Sequence, residues 1–158
     1  MKRLLLYCRD LSYLPDEPRF HFSGIFISWC IRQAGFTEAE FPKTPAHCDY
    51  VRAGLRSDRS SFAFKAVPYF SLRPERGDII TFCRDHPTDL ANLGANAHFV
   101  PLESIICLNV TETTVVGAVA NWPLGQIGYH FLALGRNGYL AQRSKNSLLS
   151  VMRIKLAF

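Results

Sequence analysis

Phe22-Ser23-Gly24-Ile25-Phe26-Ile27-Ser28-Trp29-Cys30-Ile31-Arg32-Gln33-Ala34-Gly35 is the stretch from which the rest of the chain is read. Phe22, Ile25, Phe26, Trp29 and Cys30 recur at steps of three and four, the period of one helix face. The pattern predicts a helix over residues 23–34, with Gly35 as the residue that closes it. Ser23 then falls in the first turn. Free backbone N–H groups and the positive end of the helix dipole gather there, and they stabilise a thiolate or an oxyanion. A serine at a helix start is also a favoured N-cap, and that is its commonest role.

Working outward, residues 1–21 read as an N-terminal extension, a short apolar run followed by a linker broken by Pro15 and Pro18. Met1-Lys2-Arg3 before that run resembles a signal peptide, but the run is shorter than the roughly seven residues such a segment needs. No stretch approaches the roughly eighteen apolar residues of a membrane span. The expectation is a soluble chain made in the cytoplasm, with any export by a non-Sec route.

Downstream, residues 42–45 read as a loop and residues 46–55 as a second helix. Strand-like alternation then predicts extended segments at 62–67, 79–83, 98–108, 113–120, 129–134 and 148–156. Residues 73–78 form a turn in which Gly77 supplies a positive φ and Asp78 bonds local backbone. Residues 84–97 are polar and read as a loop. Helices first and strands afterwards indicate an α+β fold, with helices on one face of an antiparallel sheet.

The 158 residues fit one domain. Apolar residues make up 48% and charged residues 20%, enough for a core and too few charges for a disordered chain. The net charge of +5 is spread without a basic block, so it fits either a plain solvated surface or a mild preference for anionic polymers. No helix-turn-helix, RNP-like segment or basic stripe supports a nucleic-acid partner. Five cysteines, an odd number without a C-x-x-C pair, suggest neither a disulfide framework nor a zinc knuckle. His47-Cys48-Asp49 is a run of possible ligands. Consecutive helical residues point in different directions, so the three cannot chelate one ion together. No metal or cofactor is expected.

The quoted helix resembles the signature of the papain-like CHAP/NlpC cell-wall amidases and peptidases, roughly W-C-A-A-F-V-S-W-x-x-x-x-A-G. Phe22 stands at the Trp, Ser23 at the catalytic Cys, and Phe26-Ile27-Ser28-Trp29 and Ala34-Gly35 fall in register. A related family of unknown function also tends to carry Ser at that place. Arg73-Pro74-Glu75-Arg76-Gly77-Asp78-Ile79-Ile80-Thr81-Phe82 resembles the R-P-x-x-G-D-h-h-x-F turn and strand of the same superfamily. Ala97-His98-Phe99-Val100 resembles its G-H-V strand, and Asn121-Trp122 resembles the polar pair after the next strand.

The resemblance implies a papain-like fold and a site of three residues: Ser23 as nucleophile, His98 as general base, Asn121 as its orienter. Glu103 is the rival orienter. Its five-residue spacing from His98 turns it to the opposite face of a regular strand, unless a bulge at Pro101 reverses that. His21 is placed beside the same cleft, and His47 reads as a surface or substrate-groove residue. His86 and His130 have no supporting context, and Cys30 reads as core. The implied function is hydrolysis of peptidoglycan or another cell-wall peptide, as a phage lysin or a delivered antibacterial effector with an immunity or delivery protein as partner. The alternatives are an inactive binding module on the same fold, or a cysteine enzyme silenced by engineering at Ser23.

Overall fold

The computed structural model describes residues 2–12, 22–59, 61–84, 87–120, 126–142 and 147–155. Among the described residues four α-helices, α1 (Lys2–Asp10), α2 (Phe22–Gln33), α3 (His47–Leu55) and α4 (Leu90–Ala95), accompany six strands. These are β1 (Phe64–Pro68), β2 (Ile79–Cys83), β3 (Leu102–Val110), β4 (Thr114–Ala120), β5 (Ile127–Ala133) and β6 (Leu148–Ile154). They form one sheet in the order β1-β6-β2-β3-β4-β5, with every neighbouring pair antiparallel. The chain is therefore α+β, as its element order implies.

The sheet divides two cores. On one face, Phe64, Ala66, Ile79 and Met152 pack with Ile25 and Ile27 of α2 and with Tyr50 and Val51 of α3. On the other, Ile80, Phe82, Ile105, Val115, Val119 and Val151 pack with Leu140. β2 is buried at all five positions. That is why Ile79-Ile80-Thr81-Phe82-Cys83 reads as a continuous apolar run and not as an alternation. Each fully buried side chain of this size contributes about 1.5–3 kcal/mol through removal from water.

α2 is buried on more than one side, from Ser23 through Ser28 and again at Ile31. A helix apolar around most of its circumference needs cover on several faces. One cover is α1, in the segment expected to be an extension. The Tyr7 ring lies 4.5 Å from that of Trp29 and 5.9 Å from that of Phe26. The Trp29 indole donates to Asp10 Oδ2 at 3.2 Å. Residues 4–8 are thus part of a helix whose Tyr7 and Cys8 enter the core.

The 73–78 turn is fastened to the last strand. Gly77 has φ +93°, as does Gly35 at +96° after α2. Asp78 Oδ2 accepts from the Glu75 backbone at 2.7 Å. Arg153 of β6 then holds Asp78 with two hydrogen bonds, 2.9 and 2.8 Å, and the Arg73 carbonyl with a third of 2.7 Å. The turn is an anchor between β2 and β6, which accounts for its sequence without catalysis.

Two expectations are corrected. The polar stretch 84–97 contains α4, capped by Asp89, whose side chain accepts from the Asn92 N–H at 2.7 Å. The strand expected to open at His98 begins at Leu102. Pro101 carries no N–H for the ladder, so pairing starts only after it. Among the described residues, no helix is long and apolar enough to cross a membrane.

Candidate functional site

Ser23 is the second residue of α2, and the loop before α3 is pressed against that end of the helix. Gly24 permits the contact: an added Cβ would fall on the Pro45 carbonyl. One turn later on the same face, the Ser28 hydroxyl donates to the Thr44 carbonyl at 3.1 Å and lies 3.3 Å from that of Pro42. Thr44 in turn accepts from the Ala46 N–H at 3.1 Å and donates to Asp49 Oδ2 at 2.8 Å. Ala46 offers no side-chain cap, so Thr44 and Asp49 set the direction in which α3 starts.

This framework puts His47 against Ser23. The Ser23 hydroxyl and His47 Nε2 are 2.6 Å apart, and both residues are buried, at 3% and 4% exposure. His47 Nδ1 is hydrogen-bonded to the Tyr50 hydroxyl, three residues on along α3. Tyr50 is wholly buried. Burial drives its phenol well above the ordinary range, so it stays protonated, and a hydrogen bond to Ser104 of β3 partly offsets that rise. Ser104 shares a 2.8 Å hydrogen bond with Thr81 of β2. The chain of contacts runs from Ser23 through His47 and Tyr50 into the centre of the sheet.

Glu103 completes the cluster. Its Oε1 lies 3.6 Å from His47 Nε2, and that oxygen is buried without a hydrogen-bond partner among the described residues. Burial raises the Glu103 pKa, partly offset by Ser23, by the charge of Arg84 and by the Ser104 backbone.

Ser23 and His47 face a cleft of about 260 Å³. Pro45 and Ala46 line it from the loop before α3, and Arg84, Phe99, Pro101 and Leu102 from the chain flanking β2 and β3. Ser23 and His47 are otherwise buried, so this cleft is where they open to the surface.

The imidazole that meets Ser23 is therefore that of His47. His98 is exposed in the bend before β3, outside the cleft lining. The Arg52 guanidinium, which also bonds the Leu93 carbonyl at 3.0 Å, holds the His98 carbonyl and fixes that bend. Asn121, His21 and His86 lie outside the described residues. The spacing argument that turned Glu103 away presupposed a strand from His98, and no strand runs there. Sequence reading weighed His47 only as a metal ligand or groove residue. The signal for its role was the His47-x-x-Tyr50 spacing, which places both side chains on one face of a helix.

His130 is half-buried on β5, with its ring 5.3 Å from Phe82 and its pKa lowered by desolvation. The five cysteines are unpaired. Burial pushes the Cys30 thiol up to about 12, which makes it a poor nucleophile. Among the described residues no group of three or more His, Cys, Asp or Glu side chains could hold a metal ion.

No curated protein and no solved structure matches the chain. Residues 8–146, which include every residue of the cluster and cleft, match a bacterial family, and the chain belongs to it: the family described as "Uncharacterized protein conserved in bacteria (DUF2272)".

Proposed function

We propose that the protein is a papain-like amide hydrolase in which Ser23 is the nucleophile and His47 the general base. The observation that carries this reading is the 2.6 Å contact between Ser23 Oγ and His47 Nε2 at a cleft. A serine that only capped its helix would have no need of a buried imidazole. Tyr50 is the orienter: its phenol oxygen, which Ser104 also hydrogen-bonds, accepts from Nδ1–H. That tautomer leaves Nε2 unprotonated, free to take the Ser23 proton.

Ser23 Oγ attacks the amide carbonyl as its proton passes to His47 Nε2. The carbonyl oxygen, now negative, is stabilised by the free N–H groups of the first turn of α2. The C–N bond breaks as His47 returns the proton to the leaving amine. Water then gives its proton to the same nitrogen and attacks the acyl carbon; the C–Oγ bond breaks, the acid is released, and Nε2 returns the proton to Ser23 Oγ. Relative to the sequence-based trio, His47 replaces His98, and Tyr50 takes the part given to Asn121.

The substrate class, a peptidoglycan peptide or similar cell-wall amide, comes from the resemblance of residues 22–35 and 73–82 to the CHAP/NlpC enzymes. A nucleophile at the start of a helix packed on an antiparallel sheet supports it. Under this reading the protein acts in the periplasm or cell wall, delivered there with a dedicated partner.

The test is release of new amino groups from purified peptidoglycan and its stem peptides, alongside labelling of Ser23 by a fluorophosphonate. Wild-type protein should do both, and Ser23→Ala and His47→Ala should do neither. Folded wild-type protein that neither labels nor cleaves would return the module to the binding-protein reading.

A further inference from the structure

We propose that Arg84 forms a carboxylate-recognition subsite, so that the cleft takes peptides carrying a free carboxylate close to the bond at Ser23. The inference rests on the proposed hydrolase reading for the meaning of that bond, and on the cleft itself for the binding.

Arg84 immediately follows β2, and its N–H donates to the Pro101 carbonyl at 3.2 Å. That bond fixes its backbone beside the opening of β3. The side chain is exposed and lines the same cleft as Ser23 and His47. Among the described residues it is the only Lys or Arg in the lining, no carboxylate lines the cleft, and Arg84 makes no ion pair there. By contrast, Arg52 and Arg153 are engaged by backbone carbonyls and carboxylates. A guanidinium offers a planar fork of donors that matches a carboxylate with two parallel hydrogen bonds.

The other charged groups facing Arg84 do not fill that role. Glu103 feels its charge, but is only partly exposed, has its Oε1 buried 3.6 Å from His47 Nε2, and makes no ion pair with Arg84 among the described residues. His47 is committed to Ser23 and Tyr50. The remaining wall is apolar: Phe99, 63% exposed, stands beside Pro101 and Leu102. A small side chain next to the carboxylate would lie against it. The carboxylate can be a chain's C-terminus or an acidic side chain, and the same guanidinium serves both.

Three probes decide the matter by calorimetry, with amide resonances of Ala46, Arg84 and Leu102 locating the site. They are N-acetyl-Ala-Ala with a free carboxylate, the same dipeptide as its C-terminal amide, and N-acetyl-Ala-Glu amide. Ser23→Ala protein is used, so that binding is read without turnover. At least one carboxylate probe should bind roughly tenfold more tightly than the neutral amide. Arg84→Gln should erase that preference and leave the neutral amide unchanged. Preference for the first probe assigns a terminal carboxylate, and preference for the third an acidic side chain. Equal binding of all three, a preference that survives Arg84→Gln, or no shift of those resonances with either carboxylate would overturn the subsite. A missing preference leaves hydrolysis by Ser23 standing, whereas carboxylate binding by a protein that cleaves nothing would sink the hydrolase alone.

Discussion

Ser23 Oγ and His47 Nε2 sit 2.6 Å apart although 24 residues separate them in the chain. Gly24 and Ser28, one helical turn apart, bring them together by drawing the 42–45 loop onto α2. This makes His47, and not His98, the residue on which activity should depend. His47→Ala should lower turnover by ~10²–10⁴, the usual worth of a positioned base. His98→Ala should change it little, because the His98 contact to Arg52 is made by its backbone carbonyl. Steady-state rates of the two variants check this, and equal losses would show that the contact is not the catalytic one.

Tyr50→Phe removes the group that holds Nδ1 of His47 and leaves both the imidazole and Ser104 one partner short. The expected cost is about 1–3 kcal/mol of stability, because the site is fully buried. Turnover should fall by on the order of 10² as the productive tautomer loses its support. Denaturant melts and kcat measured together decide it. A stability loss with unchanged kcat would reduce Tyr50 to packing.

Gly24→Ala places a methyl group where the Pro45 carbonyl now lies. Loop or helix must shift, at a cost of about 1–3 kcal/mol, and the distance between Ser23 and His47 should grow with the shift. Reduced fluorophosphonate labelling in a protein that still melts cooperatively is the expected result.

Glu103 carries a pKa raised above its ordinary value of 4.5 by burial. The folded protein therefore holds this proton more tightly than the unfolded chain does. The associated stability is fully present below about pH 4.5 and is lost as pH rises through the higher folded value. Glu103→Gln, which mimics the protonated form, should be more stable than wild type at neutral pH, with the difference vanishing in acid. Melting temperatures of both proteins across pH give the comparison, and a constant difference would refute the argument.

Asp78→Ala should remove about 1–3 kcal/mol: the Glu75 N–H loses its acceptor and Arg153, 28% exposed, loses two hydrogen bonds to a carboxylate that is itself buried, while keeping its pair with Glu75. Because the anchor serves β2 and β6 and does not touch the cleft, the folded fraction should keep its labelling by fluorophosphonate. Selective loss of labelling with stability unchanged would contradict that role.

The sequence by itself determined the α+β class and the places of α2, α3 and the strands. Three- and four-residue steps in residues 22–30 marked α2, and alternation and apolar runs marked the six strands. Gly35, Gly77 and Asp78 marked the points where the backbone turns. These signals are local: helix and strand periods and positive φ act between residues near in the chain, so they survive in a one-dimensional reading. Ser23 was legible for the same reason, since its place in the first turn follows from the helix alone.

Only the tertiary structure decided the partner of Ser23. His98 and His47 are both histidines near element ends, and no pattern in the chain ranks one contact across the fold above another. The choice was made by a missing side chain at Gly24 and by the Ser28 hydrogen bonds, which seat the start of α3 on α2. Pro101 contributed by delaying β3 to Leu102, leaving His98 in an exposed bend. The helical role of residues 2–10 was settled in the same way. A short apolar stretch gains little as an isolated helix, and here it is held by burying Tyr7 and Cys8 against α2.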